Sequence, residues 1–160
     1  MRGGGESRDR KEGEASMTNM IEAAIEAAIV SVLMDMAASP DIEVRCDAAR
    51  NPDTPSEALE KLAGEEDWSV RRGVAGNPST PAETLGVLAS DKDSSVRWAV
   101  AGNPNTPAET LRKLAEDEYG DVRHTVARNP NTPADMLGVL ASDKDSSVRW
   151  AVAKNPNTPA

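Results

Sequence analysis

The chain contains one thiol, Cys46, and one imidazole, His124. These are the side chains that most readily supply a nucleophile, a base near neutral pH or a transition-metal ligand. Their spacing argues against joint work. They lie 78 positions apart, three periods of the 26-residue repeat described below. With packed helices about 8–10 Å apart, the two groups stand roughly 25 Å from one another, too far to share a metal. A lone thiol makes no internal disulfide, and its expected setting is a reducing cytoplasm. Gly3-Gly4-Gly5 is followed by neither a strand nor Lys-Ser/Thr, so it is not a phosphate loop. The 27 Asp and Glu against 18 Lys and Arg give a net charge of −9. They fall on turns and helix starts, where capping and solvation account for them. The expectation is a protein that is not an enzyme, with no cofactor and no metal site. Its acidity disfavours nucleic acid and anionic membrane as partners. No 18-residue uncharged apolar run is present.

Binding chemistry is better represented. The chain has no Phe, one Tyr (Tyr119) and three Trp. Trp98 and Trp150 recur at one repeat position, shared with Cys46, Arg72 and His124. On a helix of 3.6 residues per turn, Trp98 points away from the apolar side formed by Val96, Ala99 and Val100. Trp, Tyr and Arg most often anchor interfaces. The candidate binding strip is therefore Arg72, Trp98, His124 and Trp150, with Trp68 beside it. The alternative is that each Trp packs over its neighbouring repeat or shields a turn. Two further columns are structural. Arg71, Arg97, Arg123 and Arg149 recur every 26 residues, as do Asp67, Asp93 and Asp145, the second column being broken at Tyr119. The i, i+4 spacing of Asp93 and Arg97 predicts a helix-start ion pair and an Asp–Arg ladder joining repeats. A third column, Asn51, Asn77, Asn103, Asn129 and Asn155, is expected to bond turn to turn.

The elements that carry these residues are set by the repeat. Ten of the eleven prolines lie in five copies of Asn-Pro-x-Thr-Pro, beginning at Asn51, Asn77, Asn103, Asn129 and Asn155. The full units are 51–76, 77–102, 103–128 and 129–154, with a partial one at 155–160. Units 77–102 and 129–154 agree at 22 of 26 positions. A degenerate unit fits 25–50. Each unit reads as two short helices. Thr54-Pro55-Ser56-Glu57 and its equivalents predict a capping box, with the Thr hydroxyl on an orphan N–H and Pro at the first helical position. Leu59, Leu62 and Ala63 keep helical spacing in the first helix, and Val96, Ala99 and Val100 in the second. Each Asn-Pro stops the second helix. Gly86 and Gly138 interrupt first helices, which implies a close backbone approach or a tightened or frayed helix. Helices this short need stacked neighbours, the logic of a solenoid.

Residues 1–18 read as a disordered tail. Residues 19–50 read as a capping helix, started by Asn19 and Glu22, plus the degenerate unit. Ile21, Ile25, Ile29, Val32, Leu33 and Met36 form its apolar stripe. The array then fills 51–160.

The unit Asn-Pro-x-Thr-Pro-x-x-x-Leu-x-x-Leu-Ala-x-Asp-x-x-x-x-Val-Arg-x-x-Val-Ala resembles the leucine-rich repeat variant family. Through Asp-x-x-x-Val-Arg it is similar to HEAT-type repeats as well. The resemblance implies an all-α, right-handed superhelix of alternating α- and 3₁₀-helices without β-sheet. The HEAT likeness implies that the second helix lies on the concave side. Some members carry an iron–sulfur cluster on an N-terminal cysteine group, and Cys46 alone cannot hold one. The expected function is a non-catalytic scaffold binding a protein or peptide along one face. The alternative is a module that self-associates through an uncapped C-terminal edge.

Overall fold

The computed structural model describes the backbone of residues 5–158 and the side chains from residue 16 onward. Among these residues all regular structure is helical. A long α1 (Gly5–Ala37) precedes α2 (Ile42–Arg50). Four pairs follow: α3 (Ser56–Leu62) with α4 (Trp68–Gly76), α5 (Ala82–Leu88) with α6 (Ser94–Gly102), α7 (Ala108–Leu114) with α8 (Gly120–Arg128), and α9 (Ala134–Leu140) with α10 (Ser146–Lys154). The even-numbered helices pack side by side in one layer, and each odd-numbered helix from α3 on packs on the even helices before and after it.

One thin seam between the layers forms the core. Leu59, Leu85, Leu111 and Leu137 enter it from the first helices, with Val70, Val96, Val122 and Val148 opposite, all at most 1% exposed. Fully burying such a side chain is worth about 1.5–3 kcal/mol, which no seven-residue helix retains alone. Gly73 permits a close crossing of α2 and α4, since a Cβ there would stand 2.9 Å from the Ala49 Cβ.

The capping box does not form. Pro55, Pro81, Pro107 and Pro133 are themselves the extended residues before the first helices, and none of these helices has a side-chain cap. The threonine hydroxyls instead donate backwards, Thr54 to the Ala48 carbonyl and Thr80 to that of Val74, both at 2.6 Å. Thr106 and Thr132 do the same to Val100 and Val126. Each of these carbonyls also accepts from the backbone N–H of the Asn that ends the helix, so the hydroxyl fills its second lone pair. These threonines are buried, so their one proton goes to the acceptor that water cannot reach. The first helices are also α-helical rather than 3₁₀. The 3₁₀ character survives only at their ends, as in the i→i−3 bonds from Ala58 to Pro55 and from Gly64 to Lys61. Gly86 and Gly138 sit inside α5 and α9 with no close neighbour, so neither marks a tight approach.

The N-terminus departs from expectation too. Residues 1–4 lie outside the described residues. From Gly5 the backbone is already helical, and α1 passes through Asn19 without starting there. The segment is rich in Glu, Arg, Lys, Ala and Met, good helix formers, with no proline before Pro40. Only the last turns of α1 cap the array. Leu33 is buried and Met36 and Ala37 pack on the core, whereas Ile21, Ile25, Ile29 and Val32 remain exposed.

Candidate functional site

Two polar ladders fix the spacing of the even-helix layer, and they show why its outer face is free for other work. In the first, each Asn of the Asn-Pro motif reaches back one repeat. Asn77 Nδ2 donates to the carbonyls of Ala49 and Asn51 at 2.8 and 2.7 Å, and Asn103 Nδ2 to those of Ala75 and Asn77 at 2.8 Å each. Asn129 and Asn155 repeat the pattern.

The second is an arginine ladder, and its acids are not those the spacing suggested. Asp67, Asp93 and Asp145 cap their own helices, accepting from the backbone N–H of Ser69, Ser95 and Ser147. The arginines pair with a different column, 20 residues ahead in the next unit. Arg71 Nε and Nη2 meet Asp91 at 2.6 and 2.9 Å, Arg97 meets Asp117 at 2.6 and 3.1 Å, and Arg123 meets Asp143 at 2.7 and 3.0 Å. The remaining guanidinium nitrogen of each donates to the turn carbonyls just before its own helix, as with Arg71 on Glu65 and Glu66. Arg149 makes only that last kind of contact. The i, i+4 pairing fails because Asp93 is held by its capping bonds. The bidentate fork finds a better-placed carboxylate across the stack.

Burial of Asp91 and Asp117 pushes their carboxyls up. The paired arginines and the backbone N–H two residues on outweigh it, and both end below the usual carboxylate range. At Asp143 the bond from Arg123 leads, with the same outcome. Seryl bonds hold Asp67 and Asp93 low.

With Arg71, Arg97 and Arg123 committed to the seam, the next residue in each even helix points outward. Arg72, Trp98 and His124 lie in this position on α4, α6 and α8. Together with Trp68 they line one groove of about 570 Å³. Trp68 and Trp98 are 44% and 43% exposed, so neither is consumed as cover for its neighbouring repeat. The Arg72 guanidinium sits 5.5 Å from the centre of the Trp98 ring.

Trp150 does not join them. It lies one repeat further on α10, in a separate hollow of about 390 Å³ with Arg128 and Lys154. Lys154 Nζ stands 5.9 Å from its ring centre. A third hollow, about 300 Å³, lies between Arg50, Arg72 and Trp98. Cys46, at the same repeat position on α2, is buried against Ser69 Oγ at 3.3 Å.

The structure adds Tyr119 to the groove wall. It is the residue before α8, where the other even helices have a capping Asp, and α8 has no side-chain cap. The sequence carried the signal as the break in the aspartate column. Tyr119 is 51% exposed, with Arg97 5.6 Å from its ring centre. Arg128 and Lys154 form no column in the sequence, because their position is Gly in two of the other units, Gly76 and Gly102. Among the described residues no three His, Cys, Asp or Glu side chains are grouped to hold a metal ion. No described helix is long and apolar enough to cross a membrane.

Comparison with known proteins finds the same 26-residue period. Residues 42–67 and 68–93 match the family described as "Leucine rich repeat variant". Residues 95–156 match "Leucine Rich Repeat Variant domain". A solved structure described as a leucine-rich repeat variant with a novel repetitive protein structural motif aligns over 81% of this chain, with 35% identity and a TM-score of 0.64. The chain spans about half of that structure's length, 52%. A crystal structure of an engineered protein shares the fold, with 24% identity over 83% of this chain and 80% of its own, and a TM-score of 0.52. No curated protein matches significantly.

Proposed function

We propose that this chain, which belongs to the leucine-rich repeat variant family, is a non-catalytic scaffold that binds a protein or peptide across the outer face of its even helices. The observation that carries this reading is the placement of the aromatic side chains. All four of the chain's aromatic residues, Trp68, Trp98, Tyr119 and Trp150, lie on that layer and are 43–58% exposed. The core is meanwhile filled by Leu, Val and Ala. Exposed aromatic surface costs free energy in water unless a partner covers it. Two ladders keep the layer rigid, so a partner meets a preformed surface and loses little to ordering it. The thiol and the imidazole are split between α2 and α8, consistent with a surface that binds rather than reacts.

The test is affinity capture with wild type and Trp68→Ala/Trp98→Ala. Both residues are on the surface, so the variant is expected to fold. Central aromatic anchors typically carry 2 kcal/mol or more each, roughly a thirtyfold loss of affinity apiece. The expected result is loss of the captured partner. Equal recovery by both proteins would remove the groove from the argument.

A further inference from the structure

Granting the peptide-binding reading above, we infer that the bound segment is acidic and extended, and that it runs along the stack from α4 to α10.

The outer face of the even helices carries positive charge that has no acidic counterpart. The chain holds nine more acidic than basic side chains. Three arginines of the inter-repeat seam, Arg71, Arg97 and Arg123, have a carboxylate in Asp91, Asp117 and Asp143. On α7, Arg112 has Asp135. Seven basic side chains form no ion pair among the described residues: Lys92 and Lys144 in turns, Lys113, which bonds Ser90 Oγ, Arg149, which bonds turn carbonyls, and the trio Arg72, Arg128 and Lys154. All three lie on the outer face of the even helices. Arg72 and Lys154 stack instead over Trp98 and Trp150. A cation lying over an indole keeps its N–H groups available for a carboxylate.

The acidic side chains of the neighbourhood are engaged elsewhere. Asp67, Asp93 and Asp145 cap helices, and Asp91, Asp117 and Asp143 lie in the seam. Of the side chains lining the groove and its two flanking hollows, Asp121 is the one carboxylate. An acidic protein has thus kept this strip cationic and aromatic. A segment with carboxylates and apolar side chains complements it.

Spacing sets the pattern of that segment. The cations recur along the stack with aromatics beside them: Arg72 with Trp68 on α4, Trp98 on α6, Arg128 with Tyr119 at α8, and Trp150 with Lys154 on α10. Neighbouring helices stand about 8–10 Å apart, and an extended strand rises about 3.3 Å per residue, so each repeat step spans about three residues. The fitting segment has an acid at position i, an apolar residue near i+3, an acid near i+6, and an apolar or acidic residue near i+9. Single-stranded nucleic acid also suits cations beside aromatic rings. Three cations in a chain of net charge −9 favour a short peptide over a long phosphate backbone, which would continue over acidic surface.

The experiment is a selection from a display library of random peptides against the full chain, with the enriched peptides resynthesised for fluorescence anisotropy. Enrichment of Asp or Glu about six residues apart, around an apolar residue, is the expected result. Binding should weaken roughly tenfold in Arg72→Glu/Arg128→Glu, which reverses two exposed charges, and should tighten at low salt. Circular dichroism melts of that variant control for folding. Enrichment of neutral or basic peptides that still need Trp68 and Trp98 would overturn the acidic partner and leave the peptide groove standing. Enriched peptides indifferent to the double reversal, or an oligothymidylate that binds where no peptide is enriched, would overturn the inference as well. Failure of the groove itself is read separately, from capture by Trp68→Ala/Trp98→Ala.

Discussion

Asn103→Ala removes a residue that faces two repeats at once. Asn103 is 1% exposed. Its Nδ2 donates to the carbonyls of Ala75 and Asn77, both at 2.8 Å, and its Oδ1 accepts from the N–H of Asn105 at 2.9 Å. The Asn77 carbonyl keeps a second donor, the N–H of Thr80. Asn105 is exposed, so its N–H regains water. The Ala75 carbonyl lies past the last residue able to return a helical bond and is left unsatisfied. One buried orphan costs about 1–3 kcal/mol, and each of the other two bonds about 0.5–1.5, which gives about 3–4 kcal/mol in all. In urea, with a slope of about 1–3 kcal/mol per molar, the unfolding midpoint followed by circular dichroism should fall by more than about 1 M. Asn103→Asp keeps the size and the acceptor but turns a carboxylate towards two carbonyl oxygens, and should cost more still. Asn105→Ala removes an exposed bond to the Pro78 carbonyl and should cost under about 1 kcal/mol. If Asn103→Ala and Asn105→Ala shift the midpoint equally, the asparagine ladder does not hold the repeats together.

Four further outcomes follow from named contacts. The ladder carboxylates Asp91, Asp117 and Asp143 have lowered pKa values in the fold, so the stability they contribute is present above the unfolded carboxylate value of about 3.9 and lost as pH falls through their lower folded values. The melting temperature should hold from neutral pH to about pH 5 and drop below about pH 4; a steep fall between pH 7 and 5 would point to other groups. Gly138→Ala and Gly86→Ala place a methyl where nothing stands within 4 Å, or only Thr110 Oγ1 at 3.9 Å, and each should stabilise by about 1 kcal/mol in a thermal melt. Gly73→Ala, whose Cβ would meet Ala49 Cβ at 2.9 Å, should lower the melting temperature. Tyr119→Asp restores the missing cap of α8 and should add about 0.5–2 kcal/mol while weakening capture of the partner; loss of stability would mean that Tyr119 is packed for the fold rather than for binding.

The 26-residue period, the two helices of each unit and the residues of the seam were legible from the sequence. Leu59, Leu62, Val96 and Val100 are buried where the periodicity placed them. Such features depend on local spacing and on proline's effect on its neighbours, which one chain segment contains in full. The outward position of Trp98 followed from the same arithmetic, because a helix wheel needs no partner. The resemblance to a known repeat family rested on that spacing too, and the family comparison agrees with it.

Tertiary structure decided which groups answer one another. Thr54 had a plausible N–H ahead of it and a buried carbonyl behind it, and only the burial of the Ala48 end chose the second. Local spacing points Arg97 to Asp93, and nothing in the sequence points it to Asp117. The stacking of one unit on the next brings Asp117 to 2.6 Å, while Asp93 turns to cap its helix. Tyr119 and Trp68 belong to different units and different repeat positions, and share a groove only because α4, α6 and α8 lie side by side. A polar atom's partner is set by where water is excluded and by what lies across the seam. Those are properties of the stacked array, and no single repeat contains them.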